Sequence, residues 1–186
     1  MQKKYRLCLY WKCTDEACFL VRRGRKCHDH FKLLETIDRF LPYTAVVRDP
    51  LAAHRQQPTI IFCHAPLEQT AVSERPGVSL PSPRNSVQPA GRIRSILARN
   101  HQVLLWVSGH THTTPADATF MDDANYYEDR VLNVYNSDWD EETICTNSLY
   151  LYPDHILIRT YDHTHNTWLP AFDRTIALPE WCRLTA

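Results

Sequence analysis

The most constraining feature of this chain is the stretch VLLWVSGHTHTTP at Val103 to Pro115, where an apolar run ends at a glycine and two histidines follow. The run Val103 to Val107 has no polar alternation, which is typical of a strand buried on both faces of a parallel sheet. Gly109 allows the backbone to turn sharply and to approach a ligand closely. His110 and His112 offer imidazole nitrogens, which suit zinc, manganese or iron. Taken alone, the two histidines fit an ordinary surface pair equally well.

A second apolar run of the same kind ends in His64. This run, Thr59 to Cys63, is short and rich in residues that favour strands. Between the two runs, residues 91 to 100 have the apolar spacing of a helix. The positions that define it are apolar Ile93, Ile96 and Leu97 and water-facing Arg92, Arg94 and Arg99. A strand, helix, strand unit makes the two strands parallel, and the carboxyl ends of parallel strands form the edge where α/β sheets bind ligands. We therefore expect His64 to lie beside His110 and His112 as ligands of a metal.

These motifs resemble a known family. The strand ending in H-A-P (His64 to Pro66) and the later strand ending in G-H-T-H (Gly109 to His112) resemble the last two metal motifs of the calcineurin-like metallophosphoesterases, over a match from about Leu51 to about Leu169. The resemblance implies an α/β fold that is a partial metallophosphatase-type β-sandwich flanked by helices. It further implies a mixed sheet whose parallel strands end in metal-binding histidines, and a carboxyl-terminal antiparallel hairpin.

The resemblance also implies an activity, the hydrolysis of phosphate mono- or diesters by a dinuclear metal centre. The two divalent ions would be manganese, iron or zinc, with His64 and His110 on one ion and His112 on the other. Two such ions about 4 Å apart lower the pKa of a bridging water and neutralise charge on the phosphoryl group. The implied partner is a phosphorylated small molecule or another phosphoester. Catalytic and substrate-binding residues are not identified by these motifs.

The amino-terminal metal motifs of the family are missing from this sequence. It contains no D-x-H, no G-D-x-x-D, and no G-N-H followed by aspartate or glutamate. Three histidines divided between two ions are a weak ligand set, so we expect partial metal binding at most and little or no phosphatase activity. None of the possible substitutes is convincing, and one of them, Asp162 to His165, fits a solvated turn better than a ligand set. A binding or regulatory module that keeps the fold without catalysis is the alternative.

The first fifty residues differ in composition from the rest of the chain. They are basic, and they hold four of its seven cysteines, namely Cys8, Cys13, Cys18 and Cys27. A small zinc module is an alternative there, although the spacings lack the close C-x2-C pairs of most zinc sites. We therefore divide the chain into an atypical segment, residues 1–50, and the carboxyl-terminal half of a metallophosphoesterase domain, residues 51–186. We hypothesise that the chain is a truncated or misframed product.

Charge and hydropathy exclude several classes of partner. Lysine plus arginine and aspartate plus glutamate each number 21, so nothing favours a nucleic acid or an anionic membrane. No apolar run approaches the roughly twenty residues of a membrane span, and no signal-peptide core follows Met1. These observations predict a cytoplasmic protein. We expect copies to associate if a sheet is left uncovered.

Weaker patterns place the remaining elements. Ala65 to Ala90 is rich in proline and predicts a long loop, either a lid in which Glu68, Arg75 and Arg84 meet a phosphate or a disordered segment. His30 to Leu41 has the spacing of an amphipathic helix. The other predictions are an acidic, solvated loop at Thr113 to Arg130, a strand at Val131 to Tyr135, a hairpin of Ser148 to Tyr152 with His155 to Tyr161 around Pro153 and Asp154, and an edge closed by Trp168 and Leu169.

Overall fold

The fold consists of two sheets and one helix of regular length in the part of the chain that the structure, a computed structural model, describes. The described residues are 5–14, 17–23, 32–36, 51–70, 86–111, 113–135 and 144–182. Before residue 51 the description covers the backbone alone. No helix among the described residues is both long and apolar enough to cross a bilayer. The cytoplasmic location stays a prediction.

The first sheet, which we call the parallel sheet, has five strands in the order β3-β4-β5-β7-β6. The strands are β3 Lys32–Thr36, β4 Thr59–Cys63, β5 Val103–Ser108, β6 Tyr126–Tyr127 and β7 Val131–Tyr135. Strands β3, β4, β5 and β7 run parallel, and the short β6 closes one edge antiparallel. Every side chain of β4, β5 and β7 is buried, which explains why these segments are mainly apolar and show no polar alternation. Their three predictions are confirmed.

The helix α1, Ala90–Ala98, connects β4 to β5 as the sequence predicts. Its side chains Ile93, Ile96 and Leu97 are buried, whereas the arginines between them are exposed. Because β4 and β5 are parallel, with Ile61 opposite Trp106, their carboxyl ends meet at one edge of the sheet. This connection is what brings the two histidine motifs together.

The predicted helix at His30 to Leu41 is wrong over the residues that the structure describes. Lys32–Thr36 forms β3, which pairs parallel with β4 from Lys32 opposite Thr59 to Thr36 opposite Cys63. A short run containing Leu33 and Leu34 satisfies either helical or strand spacing, so its pairing partner decides the outcome. The edge of β4 supplies that partner.

The second sheet, which we call the antiparallel sheet, has the order β10-β9-β8-β1-β2, with β11 also paired to β9. The strands are β1 Tyr5–Thr14, β2 Ala17–Arg23, β8 Cys145–Leu151, β9 His155–Asp162, β10 Thr167–Trp168 and β11 Arg174–Ala177. The hairpin of β8 and β9 turns at Pro153 and Asp154, and its prediction is confirmed. Trp168 lies in the edge strand β10, also as predicted.

Residues 1–50 contribute strands to both sheets. Strand β1 pairs with β8 from Tyr5 opposite Leu151, and β3 pairs with β4. The proposed boundary at residue 50 and the proposed misframed origin stay predictions.

The two sheets pack face to face around one apolar core, and α1 covers a second core on the other face of the parallel sheet. The first core joins side chains of β4, β5 and β7 to the inward side of β8 and β9, where Ile156 and Ile158 are fully buried and alternate with more exposed residues. The second core joins Ile61 and Trp106 to the buried side of α1. The chain is therefore an α/β protein whose sheets mix parallel and antiparallel strands, as predicted for its fold class.

The segment Thr113 to Arg130 is more ordered than the predicted solvated loop. It contains two short 3-10 helices, Ala118–Met121 and Asp123–Asn125, and buries Phe120 and Tyr127. Its carboxylates act locally: Asp117 accepts from the Thr114 N–H at 2.6 Å, and Asp122 accepts from the Ala124 N–H at 2.7 Å. These contacts are turn and helix caps, so the acidic composition reflects local structure.

Candidate metal site

His64 and His110 meet at the carboxyl edge of the parallel sheet. Each follows the last residues of its strand, β4 or β5, and the Gly109 N–H donates to the His64 carbonyl at 3.0 Å, which continues the ladder beyond both strands. The Nε2 atom of His64 lies 3.2 Å from the Nδ1 atom of His110. The ring centroids are 5.0 Å apart at an interplanar angle of 61°. The expected proximity of these two histidines is therefore observed.

The separation of the two nitrogens matches the spacing of ligands on one metal ion. Two nitrogens at about 2.05 Å from a tetrahedral zinc ion lie about 3.3 Å apart, and two neighbouring octahedral ligands lie slightly closer. The observed 3.2 Å falls in this range. Without a metal, the same pair forms an N–H···N hydrogen bond when one ring is protonated at the facing nitrogen. The geometry fits a metal, and both rings are partly exposed, so an ion has access to them.

The backbone at His110 is held in an unusual conformation that aims its ring at His64. Its φ is 70°, in the left-handed region, and the Thr111 N–H closes a tight turn onto the Gly109 carbonyl at 2.8 Å. A residue with a Cβ loses roughly 1–2 kcal/mol in this conformation relative to the right-handed region. Such backbone strain clusters at ligand sites, which makes it an independent reason to examine this turn for function.

The remaining predicted ligand, His112, lies outside the described residues, as do Arg75 and Arg84 of the predicted lid. Within the ranges that the structure describes, no three or more histidine, cysteine, aspartate or glutamate side chains cluster as metal ligands would. Glu68 lies in the described part of the loop, and its Oε2 atom is 3.6 Å from Nη2 of Arg94 on α1. The assignment of His64, His110 and His112 as metal ligands stays a prediction.

A buried amide that sequence reasoning missed fixes the segment after His64 to the sheet. Asn133 of β7 is fully buried, and its Oδ1 accepts from the Leu67 N–H at 3.3 Å. Its Nδ2 donates to the hydroxyl of Ser108, the last residue of β5, at 3.1 Å. Asn133 thus links β7, the end of β5 and the chain that leaves His64. Its signal in the sequence is one polar residue inside the apolar strand VLNVY.

Two further hydrogen bonds hold the same segment. The indole N–H of Trp106 donates to the Ala65 carbonyl at 3.0 Å, and the hydroxyl of Tyr135 donates to the Thr70 carbonyl at 2.9 Å. Burial raises the pKa of Tyr135 far above its usual range, so the hydroxyl remains protonated and able to donate. Hydrogen bonds to β5 and β7 therefore anchor the segment that follows His64.

Replacing Asn133 with alanine is expected to destabilise the protein by about 2–3 kcal/mol, because the buried Leu67 N–H loses its acceptor. The free energy of unfolding in urea measures the loss. Native-state hydrogen exchange at the Leu67 amide is expected to accelerate more than exchange in the first core.

A matched control for this variant is Asn100→Ala. Asn100 is also buried, but its Nδ2 donates to the Ile96 carbonyl at the end of α1, at the opposite edge of the sheet. In Asn100→Ala, we expect hydrogen exchange at the Leu67 amide to accelerate no more than the loss of global stability predicts. Equal acceleration in both variants would argue against a specific role for Asn133.

The histidines near the carboxyl terminus form a turn, as the sequence favours. The Asp162 carboxylate accepts from the His165 ring at 2.8 Å and from the backbone N–H groups of Thr164 and His165. Burial opposes the ionisation of Asp162, but these hydrogen bonds outweigh it and lower its pKa. The ring of His163 is 2.8 Å from the Thr146 hydroxyl, and burial lowers the pKa of His163. These contacts account for the group without a metal.

Comparisons with known proteins show similarity in structure and none in sequence family. No family model matches the chain, and no curated protein matches it. A crystal structure of a dimetal phosphatase from Danio rerio is similar with a TM-score of 0.46 and 19% sequence identity, over 73% of this chain and 36% of that one. This chain therefore spans little more than a third of that protein's length. Similarity at this level does not establish a shared activity, so the candidate site depends on its own geometry.

Proposed function

We propose that this chain binds a divalent transition-metal ion through His64 and His110 and uses it to bind phosphate esters, with slow hydrolysis at most. The observation that carries the proposal is the 3.2 Å separation of His64 Nε2 and His110 Nδ1 at the ends of adjacent parallel strands. This edge is where α/β sheets place their ligands. His112, two residues beyond His110, is proposed as a further ligand.

The residues of the chain contribute position and charge. Neutral imidazoles bind borderline metal ions without cancelling their positive charge, so the site stays attractive to an anion. When bound, the metal supplies a Lewis acid that polarises a phosphoryl oxygen and lowers the pKa of a bound water. The left-handed turn at His110 and the hydrogen bonds of Trp106 and Asn133 set the backbone from which the two rings project.

Two sequence features support the phosphoester part and limit its rate. The H-A-P and G-H-T-H motifs resemble those of metallophosphoesterases, which hydrolyse such esters. The D-x-H and G-D-x-x-D motifs are missing from the sequence, so no carboxylate in those patterns bridges two ions. We accordingly propose that the site binds phosphate esters better than it cleaves them.

The test uses Mn²⁺ as a paramagnetic probe. The phosphorus-31 relaxation rate of bis(p-nitrophenyl) phosphate is measured with Mn²⁺ and protein, against Mn²⁺ alone. We expect protein-bound manganese to enhance the relaxation and His110→Ala to abolish the enhancement. Release of p-nitrophenolate from the same samples is expected to stay close to the metal blank.

The outcomes separate the parts of the proposal. Metal binding without an effect on phosphorus relaxation would refute the phosphoester role and favour a non-catalytic metal-binding module. Fast, metal-dependent release of p-nitrophenolate that His110→Ala abolishes would refute the slow hydrolysis.

A second candidate is a zinc site on the amino-terminal cysteines. Cys13 of β1 and Cys18 of β2 are directly opposite each other in the strand register, which places their backbones side by side. Cys27 lies outside the described residues. Zinc that is retained in His64→Ala and His110→Ala but lost in Cys13→Ser and Cys18→Ser would favour this candidate.

A further inference from the structure

A pocket separate from the histidine pair lies beside the edge strands β6 and β11. It has a volume of about 210 Å³, and its lining includes Asp122, Asn125, Tyr126, Arg174 and Ile176. Strand β11 belongs to the antiparallel sheet and β6 to the parallel sheet, so the pocket is at the margin where the two sheets face each other. Neither His64 nor His110 lines it.

Arg174 lies at this margin and has no ion-pair or hydrogen-bond partner among the described residues. It lies on the same side of β11 as Ile176, which packs on the first core. All three guanidinium nitrogens are buried and have no hydrogen-bond partner among the described residues, and the guanidinium carbon lies 5.3 Å from the centre of the Phe120 ring. The adjacent Asp173 pairs instead with Arg159 at 2.9 Å. Burial lowers the pKa of Arg174 to about 10, so it is still charged at neutral pH.

A second buried polar atom without a partner in the described part of the chain belongs to Asn125, which also lines the pocket. The Oδ1 atom of Asn125 is buried and has no donor among the residues described here, whereas Nδ2 of the same side chain donates to the Thr119 carbonyl at 2.7 Å. The fixed amide leaves an acceptor near the pocket, and the carboxylates of Asp122 and Asp123 line it as well. A buried donor group and a buried acceptor that both lack partners are costly in a folded protein, unless a ligand or water satisfies them.

We propose that this pocket binds a small zwitterion, a free α-amino acid with an apolar side chain. The carboxylate of such a ligand would pair with Arg174, and its ammonium group would donate to Asn125 Oδ1. The negative charges of Asp122 and Asp123 would attract the same ammonium group. Leu132 and Ile176 in the lining offer apolar contact for its side chain. Because the guanidinium nitrogens and Asn125 Oδ1 are all covered in the free protein, binding requires both side chains to shift toward the ligand.

The lining favours this class over a simple anion. Asp122 and Asp123 in the lining carry negative charge, which disfavours a phosphate or a second carboxylate but attracts an ammonium group on the same ligand. A guanidinium matches a carboxylate with two parallel hydrogen bonds, which gives orientation as well as affinity. The volume of about 210 Å³ suits a molecule of amino-acid size.

The test is a titration of the full chain with L-leucine, followed by the amide chemical shifts of the β6 and β11 residues. Two matched probes carry half of the ligand each: 4-methylpentanoate has the carboxylate alone, and 3-methylbutylamine the amine alone. We expect saturable shifts with leucine and at least about tenfold weaker binding of either half, since each lacks one charged contact.

Variants decide the role of Arg174. Arg174→Met is expected to abolish leucine binding and to raise the melting temperature of the free protein, because an unpaired buried cation is replaced by an apolar chain of similar length. The control Arg159→Met removes an arginine paired with Asp173 on the same sheet, and it should leave leucine binding unchanged. Absence of saturable shifts with leucine, equal binding of 4-methylpentanoate, or undiminished leucine binding by Arg174→Met would each overturn the proposal.

Discussion

Replacing His110 with alanine is expected to weaken the binding of Zn²⁺ or Co²⁺ by at least about 100-fold, since the loss of an outer partner of a ligand already costs about 10- to 100-fold. His64→Ala is expected to have a similar effect, because the two nitrogens lie 3.2 Å apart and neither alone forms a chelate. Isothermal titration measures the affinity, and the absorption spectrum of bound Co²⁺ reports the number and type of ligands.

The double variant gives a stricter test of whether the two rings act on one ion. If they share an ion, removing the second histidine costs little once the first is gone, so the two losses are far from additive. His101→Ala is the matched control, because His101 is exposed and lies before β5, at the opposite edge of the sheet. Unchanged affinity in both single variants would disprove the metal site, and equal losses in His101→Ala would show that the effect is not specific to the pair.

Replacing Trp106 with alanine is expected to destabilise the protein by about 3–5 kcal/mol. Its side chain is 1% exposed and fills the second core between α1 and the parallel sheet. Trp106→Phe is expected to cost less, about 1–2 kcal/mol, because the ring is retained but the Ala65 carbonyl loses its donor. Urea unfolding followed by circular dichroism gives both values.

The same variants test whether Trp106 positions His64. Leu149→Ala is the control, because Leu149 is fully buried in the first core and its apolar side chain donates no hydrogen bond to the segment after His64. This substitution should destabilise the protein by a similar amount, about 2–5 kcal/mol. We measure metal affinity under conditions in which both variants are folded. We expect it to fall in Trp106→Ala and to stay unchanged in Leu149→Ala. A fall of equal size in both variants would show that affinity follows stability alone.

The parts of the fold that the sequence predicts correctly are those whose patterns are long or unambiguous. The runs at β4 and β5 are almost entirely apolar because both faces of each strand are covered, and α1 between them has clear helical spacing. Because α1 connects β4 to β5, the two strands are parallel, and this alone predicts that His64 lies beside His110. The antiparallel hairpin follows from the alternation of β9 around the turn at Pro153 and Asp154.

The missed parts depend on partners that are distant in the sequence. Lys32–Thr36 is a strand because β4 offers an edge to pair with, and no local pattern of five residues encodes that. Strand β11 is short, and its inward side carries Arg174. Its sequence therefore lacks the alternation of apolar and polar residues that is typical of a half-buried strand. Asn133 is visible as a polar residue in an apolar strand, but its role requires the position of Leu67, which is 66 residues away in the chain.

The ladder bond from Gly109 to His64 has a consequence for ion selectivity. Because this bond joins the backbone at the two strand ends, the two imidazoles start from neighbouring points, and their 3.2 Å separation is then set by side-chain torsions. Neighbouring nitrogens of a square-planar Cu²⁺ ion lie about 2.8 Å apart, whereas those of tetrahedral Zn²⁺ lie nearer to the observed separation. If the pair binds metal as proposed, we expect its preference for copper over zinc to be smaller than that of free imidazole.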